Sequence, residues 1–424
     1  MKLFLKNIGK IGEAKINIDG ITVIAGENNS GKSTIGKSLY AIFSSFNKIE
    51  RQIELERLNS VKSWVSRIPI NLNIHRTSLN ERRDFMERVP DEILSKREQI
   101  IDGSIDLKNL ILNTINDEKT VELESDDSFI DSLVQRLREV LSVSDEELLV
   151  LILEKRLSRE FYGQINNIYT EENGEISLVI KNDEISVSLL DNHITDIKNS
   201  KNLSLHTDAI YIDDPFVIDN LSDYYYADNI KFSGHREELI VKLSSMENAN
   251  SLVDEIVAKD KLQSIYDKIN TVCSGYVIEK NNFEYMYRRK NSDRELNIVN
   301  LSTGLKTFVI LKMLLEKGIV EANGTIILDE PEIHLHPEWQ LLFAEIIVLI
   351  QKEFGMHILL NTHSPYFLNA IEVYSVKYGI DDKCNYYLAS TENNVSKIED
   401  VTHNIEKIYK KLARPLQDLE NEVQ

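Results

Sequence analysis

Apolar and polar positions alternate at the start of the chain. Lys2–Asn7 and Ala14–Ile18 repeat every second residue and read as strands, and Ile21–Ala25 is a β-branched apolar run that stops at Gly26. From Ser33 to Phe46 the apolar residues recur at helical spacing. Residues 47–158 read as mostly helical and charged throughout, with breakers at Pro69, Pro90 and Gly103. They show no sustained heptad seam, which predicts a compact helical insertion and not a long coiled coil. Phe161–Leu190 alternates like three strands, with a turn at Glu172-Asn173-Gly174 and a second near Asn182-Asp183. Ala209–Ile212 is a short strand followed by Asp213-Asp214-Pro215, and Leu252–Cys273 is helical in pattern. Strands, a Ser-Thr-Gly loop and a helix follow. Then come a buried strand at Thr325–Leu328, a helix and a buried strand at His357–Leu360. The tail reads as one edge strand, Asn385–Ala389, and a helical stretch, Ile405–Glu420, broken or kinked near Pro415.

Strand and helix alternate through the second half, which predicts a mostly parallel sheet flanked by helices. The fold class is therefore α/β, with an antiparallel edge sheet and a helical insertion. The predicted divisions are residues 1–46, the insertion at 47–158, rejoining strands at 159–205, and the remainder at 206–424.

Composition narrows the setting. The 424 residues hold two cysteines, Cys273 and Cys384, far apart and in no metal-ligand spacing. Zinc ribbons and disulfide frameworks are thereby excluded, and a reducing cytoplasm is the expected location. The N-terminus has no long apolar core of a signal peptide, and no apolar run is long enough for a membrane span. The formal charge of −20 excludes adhesion to nucleic acid over the whole surface, because such binding rests on neutralising phosphates. A local basic patch stays open.

Gly26-Glu27-Asn28-Asn29-Ser30-Gly31-Lys32-Ser33 fits G-x-x-x-x-G-K-[ST] between an apolar strand and a helix, the context that gives the motif its meaning. Its glycines let the backbone wrap an anion, and the amides of Asn29, Ser30, Gly31 and on to Thr34 point inward at a helix N-terminus. Lys32 is expected to neutralise the β- and γ-phosphates of ATP, and the Ser33 hydroxyl to ligate Mg²⁺. The strand Thr325–Leu328 ends in Asp329 and Glu330. In a parallel sheet such strand ends face the ligand. Asp329 is then the second Mg²⁺ residue, and Glu330 the group that polarises the attacking water.

Leu301-Ser302-Thr303-Gly304, before a helix and upstream of Asp329, resembles the signature loop of ABC-type ATPases, with Thr303 in place of the first paired glycine. Asn361-Thr362-His363-Ser364-Pro365 follows the next apolar strand and resembles the switch-histidine segment of the same class. The motif order, and Leu328-Asp329-Glu330-Pro331-Glu332-Ile333-His334-Leu335-His336-Pro337, look like the RecF, SMC and overcoming-lysogenization-defect (OLD) class and unlike transporters. At His336 transporters carry aspartate. The resemblance covers roughly residues 1–45 and 206–424 and implies an ABC-ATPase head. It implies that Glu330 and His363 act on ATP, and that Ser302, Thr303 and Gly304 of one copy reach the nucleotide of another. It therefore implies a homodimer or higher even oligomer. The Asp213-Asp214-Pro215 stretch is a candidate for the Q-loop region.

OLD nucleases carry a Toprim domain after the switch histidine, but only 61 residues follow His363 and they lack its ligand spacing. The chain thus resembles the free-standing OLD-like ATPases of bacterial defence systems, such as those of Septu and of retron-linked pairs, which implies a separate effector protein, a nuclease or toxin. Two other readings stand beside this one. The first is a DNA-repair or chromosome-maintenance ATPase, for which Arg57, Lys62, Arg67, Arg76, Arg82, Arg83 and Arg88 offer a DNA-facing patch, although their mix with Glu81, Asp84 and Glu87 more often reads as a solvated helical face. The second is a scaffold that uses ATP only to dimerise, which Glu330 argues against. The insertion is expected to make the contact with partner, DNA or self.

Overall fold

Strands β1 (Lys2–Ile8) and β2 (Ile11–Asn17) form an antiparallel hairpin, and β3 (Ile21–Gly26) is buried at all six positions. Such two-sided burial suits a β-branched run in the middle of a parallel sheet. This computed structural model describes residues 1–68, 79–116, 127–199, 204–222, 234–245, 262–280, 284–290 and 292–421. Two compact units form: Met1–Asn47 with Leu153–Gln424, and Lys48–Ile152.

The further strands are β4 (Gly174–Ile180), β5 (Asp183–Leu190), β6 (His193–Asn199), β7 (Ala209–Ile212), β8 (Tyr276–Lys280), β9 (Glu284–Arg288) and β10 (Glu295–Asn297). After these come β11 (Thr325–Asp329), β12 (His357–Thr362), β13 (Cys384–Glu392) and β14 (Val395–Asp400). Eleven make one sheet in the order β6-β5-β4-β1-β2-β14-β13-β3-β12-β11-β7, and β10-β9-β8 make a small antiparallel one. The half running from β13 to β7 is parallel, while β6 to β2 is antiparallel. The architecture is α/β, as the alternation predicts.

Helices α1 (Lys32–Phe46), α2 (Ile49–Val65), α3 (Leu79–Ser95), α4 (Arg97–Ile101), α5 (Leu107–Asn116), α6 (Asp127–Ser142) and α7 (Asp145–Phe161) precede β4. Helices α8 (His235–Ser244), α9 (Thr303–Glu316), α10 (Pro337–Phe354), α11 (Pro365–Tyr378) and α12 (Glu406–Asn421) follow β7. The larger unit packs Val23, Leu328 and Leu360 of the sheet with Phe308, Phe343 and Phe367 of α9, α10 and α11. The rings of Phe308 and Phe343 meet edge to face at 5.5 Å. The smaller unit has its own core, in which Val61, Phe85, Ile93, Leu133, Leu137 and Leu141 are buried. No helix of the described residues is long and apolar enough to cross a membrane.

Several expectations need correction. The three strands predicted over Phe161–Leu190 lie at Gly174–Asn199. Tyr162 and Gly163 take positive φ after α7 and end the helix. In the loop that follows, the amides of Ile165 and Asn166 donate to the Asn192 side chain and not to a strand partner. The turn at Lys181 and Asn182 does join β4 to β5. The strand predicted at the sheet edge over Asn385–Ala389 is internal: β13 pairs with β3 on one side and β14 on the other. β14, too polar to show a period, was missed. The last helix runs unbroken through Pro415. Of the helical pattern at Leu252–Cys273, residues 246–261 lie outside the described ones, and 262–269 are helical. Within the smaller unit Arg57, read as part of a basic face, is 5% exposed. It donates to Val143 O at 2.8 Å and pairs with Asp145 at 2.6 Å. Arg76 lies outside the described residues.

Candidate nucleotide site

β3 delivers the chain to Gly26, and six residues later α1 begins at Lys32. The turn between them uses left-handed backbone at Asn29 (φ 61°) and Gly31 (φ 82°). A β-carbon on Gly31 would stand 2.6 Å from Ile11 Cδ1, and one on Gly26 would stand 2.4 Å from Ala389 O. Both glycines are therefore fixed by backbone shape and neighbours. No side chain caps α1, so its first amides are available to an anion. Ser30 Oγ donates to Glu27 O at 2.7 Å and braces the loop. Asn28, Asn29 and Ser33 are exposed and Thr34 is half-buried. Lys32 is buried, its Nζ donating to Gly26 O at 3.1 Å and Glu27 O at 2.9 Å.

Asp329 closes β11, which pairs with β7 and β12. Tyr211 Oη donates to its Oδ2 at 3.0 Å, and Asn361 Nδ2 donates to its Oδ1 at 3.0 Å. Glu330 follows with φ 53°. A side chain in that region costs on the order of 1 kcal/mol or more and persists where the surroundings hold it. The hold is visible: Glu330 N donates to Asn361 O at 2.9 Å. Glu330 Oε1 lies 3.4 Å from Lys32 Nζ and 3.2 Å from His363 Nδ1. The close pairing with His363, helped by the Lys32 charge, holds the Glu330 carboxyl below the usual range against the effect of burial. The same pairing raises the His363 imidazole above its ordinary value.

His363 is fixed from behind. Buried Glu332 accepts from Thr362 Oγ1 and, at 3.3 Å, from His363 N. Burial pushes the Glu332 carboxyl up. Ser364 caps α11 by accepting from Phe367 N at 3.2 Å, and donates to Gln340 Oε1 at 3.0 Å.

Ser33, Asp329 and Glu330 line one cavity of about 420 Å³, together with Asp213, Asp214 and Arg236. Ser33 and Asp329 offer a hydroxyl and a carboxylate to that space, hard oxygen donors that fit Mg²⁺. The Asp213-Asp214-Pro215 stretch thus reaches the same cavity. Asp213 is gripped by Arg236, at 2.7 Å from its NH2 nitrogen, and by His235 Nε2 at 3.1 Å. Those bonds outweigh burial and lower its carboxyl to about 2. A larger cavity, about 1150 Å³, lies beside Lys37, Tyr162 and His235 and, of the residues singled out in the sequence, is lined only by Asp213.

The signature residues form a separate surface. Ser302 is the N-cap of α9, exposed and without a side-chain cap bond, and Thr303 opens the helix. Gly304 is buried, and a β-carbon there would meet His334 O at 3.0 Å and the Trp339 ring at 3.2 Å. Glycine here lets α9 lie against the turn before α10. None of the three lines the cavity shared by Ser33 and Asp329.

Sequence reading missed Tyr211, His235, Arg236, Asn361 and Glu332. Asn361 and Glu332 were legible in principle, because they flank residues already singled out. Tyr211, His235 and Arg236 carry no local signal.

A family model described as AAA ATPase domain matches residues 1–368. The chain is 22% identical over 397 residues to the Septu protein PtuA of Bacillus thuringiensis, spanning 92% of this chain and 78% of that protein. It is 31% identical over 94 residues to the Retron Vc95 probable ATPase of Vibrio cholerae serotype O1 biovar El Tor. That match covers 20% of this chain and 18% of the relative. The SMC head domain from Thermotoga maritima aligns over 94% of this chain and 98% of its own, at 12% identity and a TM-score of 0.40. The Smc head domain from Pyrococcus furiosus aligns over 100% and 99%, at 13% identity and a TM-score of 0.42. Likeness at that level carries no inference about this chain.

Proposed function

The chain belongs to the AAA ATPase domain family, and from that premise we propose that it binds Mg²⁺ and ATP, hydrolyses ATP at Glu330, and by its nucleotide state governs a separate effector in bacterial anti-phage defence. The observation that carries the enzymatic part is the position of Glu330. It is held at φ 53° beside Asp329, with its carboxylate between Lys32 and His363. A carboxylate whose pKa is lowered by its neighbours is ionised at neutral pH and able to accept a proton from water.

Each residue has a role in this reading. Gly26, Asn28, Asn29, Ser30, Gly31 and Thr34 shape the loop that receives the phosphates, and Lys32 supplies positive charge. Ser33 and Asp329 hold Mg²⁺, which when bound neutralises phosphate charge. His363 senses the γ-phosphate by exchanging it for Glu330. Ser302, Thr303 and Gly304 complete the site of a second copy, so the working form is a homodimer or higher even oligomer. Their surface lies outside the cavity of their own chain, which supports that assignment.

The defence part rests on the likeness to PtuA and to the retron ATPase, and the effector is proposed as a separate nuclease or toxin. The cytoplasm is the proposed location. The deciding experiment is phosphate release from ATP by the purified chain with and without Mg²⁺, alongside Lys32→Ala. Release that is absent, or unaffected by Lys32→Ala, would sink the enzymatic reading.

A further inference from the structure

We infer that Tyr211 is a positioning residue that aims the metal-binding carboxylate of Asp329. The inference rests on the reading of Asp329 just given and deepens it. Asp329 is buried, and both its oxygens are engaged: Tyr211 Oη reaches Oδ2 and Asn361 Nδ2 reaches Oδ1, each at 3.0 Å. One donor per oxygen fixes the rotation of the carboxylate plane. An ionised carboxylate has about four acceptor positions, so capacity remains on the side of the cavity that Asp329 lines with Ser33.

The two donors come from opposite sides of β11. Asn361 sits directly across from Asp329 in β12. Tyr211 sits across from Ile327 in β7, two residues back, so a long side chain is needed to reach forward to Asp329. The phenol is 1% exposed, and three features hold it there. Its ring stacks on the His235 imidazole at 4.2 Å and 22°. That imidazole is itself held by Glu160 at 2.7 Å and Asp213 at 3.1 Å. At the hydroxyl end α1 presents Gly36, where a β-carbon would stand 3.2 Å from Tyr211 Oη and 3.1 Å from Ile327 Cγ2. The helix that begins at Lys32 thus leaves room for this hydroxyl.

A tyrosine that only filled the core would do as well as phenylalanine. The hydroxyl matters if Asp329 must be aimed, and the readout is therefore metal dependence of binding. In full-length Tyr211→Phe, binding of a fluorescent ATP analogue is titrated with Mg²⁺, with a parallel measurement in EDTA and thermal unfolding as a check of folding. A hydrogen bond to a charged group is worth enough to predict a rise of about tenfold in half-saturating Mg²⁺. Affinity in EDTA should stay within about twofold, since Lys32 and the loop amides are untouched. Gly36→Ala, which crowds the same hydroxyl, should shift the Mg²⁺ titration in the same direction. An unshifted or lowered Mg²⁺ midpoint in Tyr211→Phe overturns the inference, as does an equal loss of affinity with and without Mg²⁺. If the wild-type chain itself shows no Mg²⁺-dependent nucleotide binding, the ATPase reading fails and takes this inference with it.

Discussion

The Glu330 carboxylate lies 3.4 Å from the Lys32 ammonium, so the charge proposed to meet a phosphate is neutralised within the chain. Lys32 is only 4% exposed, and a buried cation is stable when paired and hydrogen-bonded. On the proposed reading, ATP competes with Glu330 for Lys32.

Glu330→Gln removes both the proton acceptor and the competitor. It should bind ATP at least as tightly as wild type while turnover falls by on the order of 10² or more. Lys32→Ala should instead weaken binding itself. Phosphate release and equilibrium binding on both variants separate the two effects, and wild-type turnover in Glu330→Gln would remove Glu330 from the mechanism.

Shared sites predict complementation. Ser302 is exposed at the start of α9, so Ser302→Arg should leave ATP binding by the single chain intact and block turnover in the dimer. A heterodimer of Ser302→Arg with Lys32→Ala has one site with both defects and one with neither. Mixing the two inactive proteins should restore part of the activity. Heterodimers shown by mass spectrometry to form, yet inactive, would rule out sites of this kind.

The His235 cluster predicts a pH limit. His235 lies between Glu160 and Asp213, with Arg236 beside it, Tyr211 stacked on it and Tyr40 edge-on at 6.0 Å. Burial disfavours its charge, but its pairing with the two carboxylates, which accept from the ring, outweighs that and raises it from 6.5 to about 9. A raised folded pKa stabilises fully below the unfolded value and is lost as pH rises through the folded one. Tm should therefore decline between pH 6.5 and about 9, and His235→Gln should flatten that decline. Equal slopes for both proteins would show that the cluster is not its source.

The described residues of Lys48–Ile152 carry no part of the cavity lined by Ser33 and Asp329 and have their own core. Replacing them with a Gly/Ser linker should spare nucleotide binding and abolish protection of cells against phage. Full protection by the shortened chain would show that the insertion is not the contact surface proposed for it.

The loop from Gly26 to Ser33, the Asp329-Glu330 strand end and the Ser302 loop were legible because their chemistry is local. A glycine-rich turn between strand and helix, or two acids after an apolar run, shows itself within ten residues or so. The α/β class was legible for the same reason, since periodicity is a property of each segment. Tertiary structure decided what depends on distant pairing. β13 reads as an edge strand, yet it pairs with β3 from the far end of the chain on one side and β14 on the other. Tyr211 looks like one more apolar residue of a four-residue strand until β7 is set beside β11, and only then does its hydroxyl meet Asp329, 118 positions away. Sequence fixes which groups a chain owns and what each segment prefers. Which carboxylate meets which donor is set by strand order and register, and those follow from the joint burial of segments that no local pattern connects.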